Sequence, residues 1–150
     1  VDAHMKTALP RQQKGAAAIE FALVFVIFFA VLYGVLSYSL PLLLMQSFNE
    51  STAEAVRRSV AVDPTTANYK QAVEKVATDV LTQRLSWIPA GLQFSVPNHA
   101  KAVYAAGVLT VSIDYPSSKL NNVLPTLVLP GVGSVPNLPT TLSAQSSLQF

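Results

Sequence analysis

The sequence predicts an α+β protein, in which a long N-terminal transmembrane helix extends into a small exported domain with a second helix packed on a three-stranded antiparallel sheet. Three observations support this fold class. A long uncharged apolar run is followed by an amphipathic helical segment, and after Pro89 the hydrophobic period changes from helical to two. The roughly one hundred residues after the apolar run suffice for one small core.

The apolar run extends from Phe21 to Asn49, where no Asp, Glu, Lys or Arg occurs. As a helix rising about 1.5 Å per residue, it would be about 43 Å long, whereas the hydrocarbon core of a bilayer is about 30 Å thick. We therefore predict a transmembrane helix over residues 16–45. The first helix should continue to Val62 with a kink at Pro41, and residues 46–150 form the exported domain.

The charges on either side of the run predict its orientation. Lys6, Arg11 and Lys14 precede it, and the first charge after it is Glu50. The positive-inside tendency then places the N-terminus in the cytoplasm and the C-terminal domain outside. Residues 5–15 form a basic leader. Residues 1–4 precede Met5, and we interpret them as a remnant of cloning, with an upstream start codon as the alternative.

Two ordinary interpretations compete for this N-terminal segment. A cleaved signal peptide has an apolar region of about 7 to 15 residues and a small-x-small cleavage site, whereas this run is about twice as long and has no such site after it. An uncleaved signal anchor is the stronger competitor. In an anchor, Gly15 and Glu20 would be interfacial residues near the end of the helix, where a charge costs less than the roughly 3 kcal/mol of the bilayer centre.

The spacing of Gly15, Ala16 and Glu20 indicates a third interpretation. If the peptide bond after Gly15 were cut, the new Ala16 ammonium would lie four residues from Glu20, on the same helix face and about 6 Å along the axis. The Glu20 charge could then be neutralised within the chain or against a neighbouring chain. A carboxylate is also favoured near a helix N-terminus, and the alanines at positions 16–18 would let helices approach closely.

At these residues the sequence resembles a type IV pilin-like precursor. A basic leader ends in Gly15, Glu20 is the fifth residue after it, and the aromatic Phe21 is the sixth. The short leader and the sequence GAAAIEFALV are more similar to the TadE-like pseudopilins of tight-adherence (Flp) pilus systems. The resemblance is strong over residues 11–38 and weaker downstream, and Phe21 stands where members often have tyrosine. Major Flp pilins are far shorter than this chain, which favours the pseudopilin branch.

The resemblance implies a minor pilin or pseudopilin that takes part in biogenesis of a type IV pilus of the tight-adherence kind, and so in cell adhesion. It implies cleavage by a prepilin peptidase between Gly15 and Ala16, and a role for Glu20 and Phe21 in assembly through the new N-terminal amine. The implied partners are that peptidase, other pilins or pseudopilins, the pilus assembly platform and the lipid bilayer.

The location that the resemblance implies is the bacterial inner membrane, crossed once, with the C-terminal domain in the periplasm. Incorporation into a surface pilus stays open. The alternative function is an uncleaved, signal-anchored periplasmic module that binds another protein.

Within the exported domain, a turn at residues 63–66 precedes a second helix, expected from Ala67 to about Trp87. Its apolar stripe predicts a core-facing side and comprises Val73, Val76, Ala77, Val80, Leu81 and Ile88. Period-two alternation then predicts three strands, over residues 92–96, 109–115 and 142–150. One face of such a sheet buries against the second helix.

A long loop, residues 116–139, separates the second and third predicted strands. Its prolines and glycines exclude a regular central strand, although many of its residues are apolar. Two interpretations are open: a cover over the sheet core, or a subunit-contact surface, since exposed apolar patches mark interaction sites. In the second case we expect Leu124, Leu127 and Leu129 to form the partner surface.

The residue types favour assembly over catalysis. The chain has no cysteine, so neither a disulfide nor a Cys-based metal site can form. Phosphate-binding loops, serine elbows and paired histidines are absent from the sequence, and His99 is expected to be a surface loop residue rather than a metal ligand. The net charge of +2 comes without a basic stripe interleaved with aromatics. We therefore expect no enzymatic activity, no cofactor, no metal and no nucleic-acid partner.

Overall fold

The computed structural model describes residues 12–150, with side chains from Gly15 onward. Residues 1–11, which include most of the predicted leader, lie outside this description. The chain divides into two compact units, one ending at Leu36 and one comprising Ser37–Phe150. The elements, in chain order, are helices α1 (Gln12–Ser59), α2 (Tyr69–Arg84) and α3 (Val96–His99), followed by strands β1 (Ala100–Ala105), β2 (Val108–Pro116), β3 (Leu127–Leu129), β4 (Gly133–Val135) and β5 (Thr141–Gln149).

The first unit contains the N-terminal part of α1. Its apolar side chains are largely exposed, and Phe21, Phe25 and Phe29 form a row at helical spacing, with successive ring centroids 5.8 and 4.4 Å apart. Among the described residues, Gly15–Ser59 is the one helical segment long and apolar enough to cross a membrane. An apolar surface of this extent is stable against lipid and costly in water.

The second unit has one hydrophobic core. Residues 37–59 of α1 contribute Leu44, Phe48 and Ala55 to it, at positions that face the same side of the helix. The other fully buried contributions come from α2 and from one face of the sheet, and include Val73, Ala77, Leu81, Leu109, Val111, Ile113 and Tyr115.

The main sheet has the order β1-β2-β5, and both pairings are antiparallel. Its inward positions on β2 alternate with half-buried or exposed residues, as a sheet with one buried face requires. Because α2 packs on this sheet, the predicted fold class is confirmed: a long N-terminal apolar helix, then a second helix on a three-stranded antiparallel sheet.

The first predicted strand was wrong. Residues 92–96 do not form a strand, because Gln93 has a left-handed conformation, φ 51°, and Val96 begins the short helix α3. The edge strand is instead β1, which consists mainly of small residues and therefore shows little hydrophobic alternation in the sequence. Ala106 and Gly107, with φ of 51° and 78°, form the two-residue turn that joins β1 to β2.

The bounds of both long helices differ from the prediction: α1 begins at Gln12 rather than Ala16 and ends before Val62, and α2 is shorter at both ends. Helix α1 ends at Ser59 and a hydrogen-bonded turn continues to Val62. The Asp63 carboxylate then accepts hydrogen bonds from the Thr65 N–H and hydroxyl, both at 2.8 Å. This turn and the left-handed Asn68 postpone the start of α2 to Tyr69.

The long loop contains its own small sheet. Strands β3 and β4 pair only with each other, so the prediction that this segment contributes no strand to the main sheet is confirmed. Leu120 and Val135 are buried and anchor the segment. The Asn137 N–H donates a hydrogen bond to the Tyr38 hydroxyl at 2.8 Å, which ties the end of the loop to α1.

Candidate functional site

The four residues predicted to act in processing and assembly all lie in α1. Gly15, Ala16, Glu20 and Phe21 are exposed, and nothing lies within 4 Å of a Cβ built on Gly15. Ala16 and Glu20 are one helical turn apart, as the spacing predicted. The site is therefore open to a partner, and the roles of its residues stay predictions.

The predicted partner surface lies on and beside the β3–β4 hairpin. Leu127 is 41 % exposed, while Leu124 and Leu129 are half-buried, and none of the three belongs to the core cluster. Two residues that the sequence analysis did not select are more exposed: Val128 at 75 % and Val132 at 72 %. We call this exposed apolar surface, residues 124–132, the hairpin surface.

Replacing Leu124, Leu127 and Leu129 with serine is expected to cost about 1 kcal/mol or less per site, because substitutions outside the core are rarely costly. A matched control is Leu120→Ser in the same loop, which is 1 % exposed and should cost roughly 2–5 kcal/mol. Circular dichroism melting of a Ser37–Phe150 fragment measures both. In the full-length chain, the same three substitutions should also abolish crosslinks to partner proteins in membranes. A collapsed melt of the triple variant would show that these leucines are core.

A groove runs between α1 and β5, and the sequence analysis missed it. At one end a cavity of about 390 Å³ lies between residues 38–45 of α1 and residues 138–143. At the other end a cavity of about 530 Å³ is lined by Ala53, Val56, Arg57 and Val60 and by Ser146–Leu148. Between them, the hydroxyls of Thr52 and Ser146 are 3.0 Å apart. We call these two cavities together the α1/β5 groove.

A charged cluster lies next to this groove, and it includes Arg57, which lines one of the two cavities. The buried Glu54 carboxylate accepts hydrogen bonds from Arg57 Nε at 2.8 Å and Arg58 Nε at 2.6 Å, and Arg84 Nη2 from α2 is 3.6 Å away. The guanidinium groups of Arg58 and Arg57 lower the pKa of Glu54 to about 2. The sequence pattern did not indicate this cluster, because Arg84 and Glu54 are distant in sequence and approach each other only in the folded domain.

His99 lies in a different environment from the exposed loop predicted for it. It ends α3, is half-buried, and its ring stacks on Phe94 at 5.5 Å and meets Tyr115 edge-on at 5.6 Å. Its Nε2 is 3.0 Å from Lys119 Nζ. Its Nδ1 lies 3.1 Å from the Ser95 N–H nitrogen and 3.2 Å from the Ser95 carbonyl oxygen. The Lys119 ammonium beside Nε2 favours a neutral His99 ring.

The environment of His99 predicts a pH dependence of stability. Desolvation and the Lys119 charge lower the pKa of His99 below its ordinary 6.5. The unfolded chain then binds more protons below about pH 6.5. This contribution to stability should be complete above that pH and decrease as the pH falls. In His99→Phe, which keeps the aromatic contact, the melting temperature should lose this part of its pH dependence. Parallel profiles for wild type and variant between pH 5 and 8 would contradict the assignment.

Comparison with known proteins supports the N-terminal assignment. Residues 15–57 match the family described as TadE-like protein. No curated protein and no solved structure matches the chain. The match starts at Gly15 and ends two residues before the end of α1. The chain thus carries a TadE-like N-terminal segment, as Gly15, Glu20 and Phe21 predicted, and this segment contains an apolar helix long enough for single-pass membrane anchoring.

Proposed function

We propose that this chain is the precursor of a minor pilin or pseudopilin of a tight-adherence pilus, and that it acts by assembly rather than catalysis. The observation that carries the proposal is the TadE-like match over residues 15–57. The match begins at Gly15 and covers the apolar helix. Cleavage after Gly15 would place the new N-terminal amine one helical turn from Glu20. A prepilin peptidase cuts between Gly15 and Ala16, on the cytoplasmic side of the inner membrane.

The proposed mechanism uses the new N-terminal amine. Once Ala16 becomes the first residue, its ammonium and the Glu20 carboxylate pair within one chain or between neighbours. Pairing inside the low-dielectric apolar segment is stronger than in water and favours side-by-side packing of the helices. The exposure of Ala16 and Glu20 on α1 supports this role, because both groups are open to a neighbouring helix.

The exported domain would then contact other pilus components in the periplasm. Its exposed hairpin surface and its α1/β5 groove are apolar, and apolar patches on small domains usually mark interaction sites.

The test of the proposal is the intact mass of the protein extracted from membranes of cells with and without the prepilin peptidase. We expect the mass to be smaller by the residues up to Gly15 only where the peptidase is present. The same mass in both strains would contradict the proposal. It would favour the alternative, an uncleaved signal-anchored module that binds another protein.

A further inference from the structure

Strand β5 has an open edge that could accept another strand. The Phe150 N–H donates to the Gly107 carbonyl at 2.9 Å, and the Ser117 N–H donates to the Thr140 carbonyl at 3.0 Å, on either end of the β2–β5 ladder. Backbone groups of successive residues in a strand point to opposite sides. The even-numbered residues of β5 therefore bond to β2. Those that point to the open edge are Thr141, Ser143, Gln145, Ser147 and Gln149.

Within residues 12–150, the backbone groups of these edge residues bond to no other strand. Nor does β5 carry the usual protection of an edge, since it contains no proline and no charged residue. The other edge of the sheet, formed by β1, is protected against pairing. There the Tyr104 N–H of β1 donates to the Glu74 carboxylate of α2 at 2.9 Å, and β1 contains Lys101. The β1 edge is therefore protected against pairing with another strand, whereas the β5 edge is free to pair.

The α1/β5 groove lies directly beside this edge. A strand added to β5 would place alternate side chains over Ala53, Val56 and Val60 of α1, where the cavity of about 530 Å³ is mostly apolar. Arg57 also lines this cavity, and its side chain is 77 % exposed. A strand without lysine or arginine therefore fits it best.

Pairing of β5 with β5 of a second copy is excluded by direction. Residues 38–45 of α1 lie beside residues 138–143, and residues 53–60 lie beside residues 146–148, so α1 and β5 run the same way. Antiparallel pairing of two β5 strands would put the two Ser37 ends of α1 at opposite ends of the dimer. Because each Ser37 follows an apolar segment, one membrane could not hold both.

The strands that remain free on a second copy are β3 and β4. Each pairs only with the other among the described residues, so each has an outer edge. Residues 120–139 contain no charged residue, and so nothing there is repelled by Arg57. Val128 and Val132 are largely exposed, so the hairpin offers apolar side chains to a mostly apolar groove.

We propose that the β3–β4 hairpin of a second copy adds to the open edge of β5 and places its valines in the α1/β5 groove. The contact joins two different surfaces, so it can repeat from copy to copy in a row. This inference deepens the assembly role proposed above, and its biological meaning rests on that role.

Because the chain has no cysteine, disulfide crosslinking tests the contact directly. Two differently tagged full-length chains, one with Leu148→Cys and one with Val132→Cys, are coexpressed and oxidised in membranes, because Leu148 lines the groove and is 42 % exposed. We expect a disulfide between the two tags, and little between identical variants. A predominant disulfide between two Leu148→Cys chains, a disulfide only with another protein, or none at all would overturn the proposal.

Matched variants test separately the backbone hydrogen bonds and the apolar side chains that the proposed contact requires. Ser147→Pro removes an N–H that points to the open edge and should abolish the crosslink. Ser147→Ala should keep it, although both variants lose the hydroxyl that lies 3.0 Å from the Thr110 hydroxyl. Val128→Asp on the hairpin should abolish it, whereas Val103→Asp, at a site 50 % exposed on β1, should not. Limited proteolysis of the membrane-embedded chains verifies that each domain is folded. If Ser147→Pro proves unfolded, the Val128 and Val103 pair decides.

Crosslinking is repeated in cells without the prepilin peptidase. The hairpin contact uses residues of the Ser37–Phe150 unit alone, so the crosslink should form there too. A crosslink without any peptidase-dependent change of mass would reject the proposed processing while supporting the contact. Normal processing without a crosslink would reject the contact alone.

Discussion

A Gly15→Val variant is expected to keep its leader. A peptidase that cuts after Gly15 must accommodate this residue in its active site, and a β-branched side chain there would displace the peptide bond. The substitution itself should not disturb the protein, because nothing lies within 4 Å of a Cβ at Gly15. We expect a complete loss of cleavage, measured as the precursor mass in peptidase-positive cells.

Gly34→Val is the matched control for this experiment. Gly34 lies in the same helix, and a Cβ there also meets nothing within 4 Å. Both variants change an apolar helix by the same side chain, with similar small effects on helix propensity. Cleavage should therefore be normal in Gly34→Val. Loss of cleavage in both would indicate a general effect on the helix, and normal cleavage in both would refute recognition of Gly15.

A Glu20→Ala variant is expected to insert and to be cleaved, yet to fail in assembly. Leaving the Ala16 ammonium without its partner in a low-dielectric setting costs about 3–5 kcal/mol, which corresponds to a decrease in assembly of roughly a hundredfold or more. Insertion should become slightly easier, because a charge has been removed from the apolar segment. The measurement is piliation, with copurification of partners, in a deletion strain that expresses the variant.

Glu50→Ala provides the control, since Glu50 is an exposed carboxylate on the same helix, bonded only by Gln46 at 3.1 Å among the contacts of the described residues. Its removal should leave assembly unchanged. Normal piliation by Glu20→Ala would reject the pairing role, and equal defects in both variants would attribute the loss to α1 as a whole.

The N-terminal third of this protein could be predicted from sequence, because its signals are local. Twenty-nine uncharged residues from Phe21 to Asn49 determine an apolar helix wherever it lies. The spacing from Gly15 to Glu20 needs only the helical period. The apolar stripe of α2 and the alternation of β2 and β5 likewise follow from the side that each element buries.

The tertiary structure alone decided which segment became the first strand. Leu92, Phe94 and Val96 alternate like a strand, yet Leu92 and Val96 are buried from a turn and a short helix. Strand β1 is made mainly of small residues and has little hydrophobic signal of its own. It forms because the turn at Ala106 and Gly107 pairs it with β2 and α2 covers it.

The features that distinguish the Ser37–Phe150 unit also depend on contacts between distant residues. Whether β5 has an open edge depends on which strands pair elsewhere, and the sequence of β5 does not contain that information. Arg84 approaches Glu54, and Lys119 approaches His99, only because separate elements pack together. Local period and spacing thus determined the N-terminal apolar helix and the class of fold, while long-range packing decided the groove, the charged cluster and the strand edge on which assembly is proposed to depend.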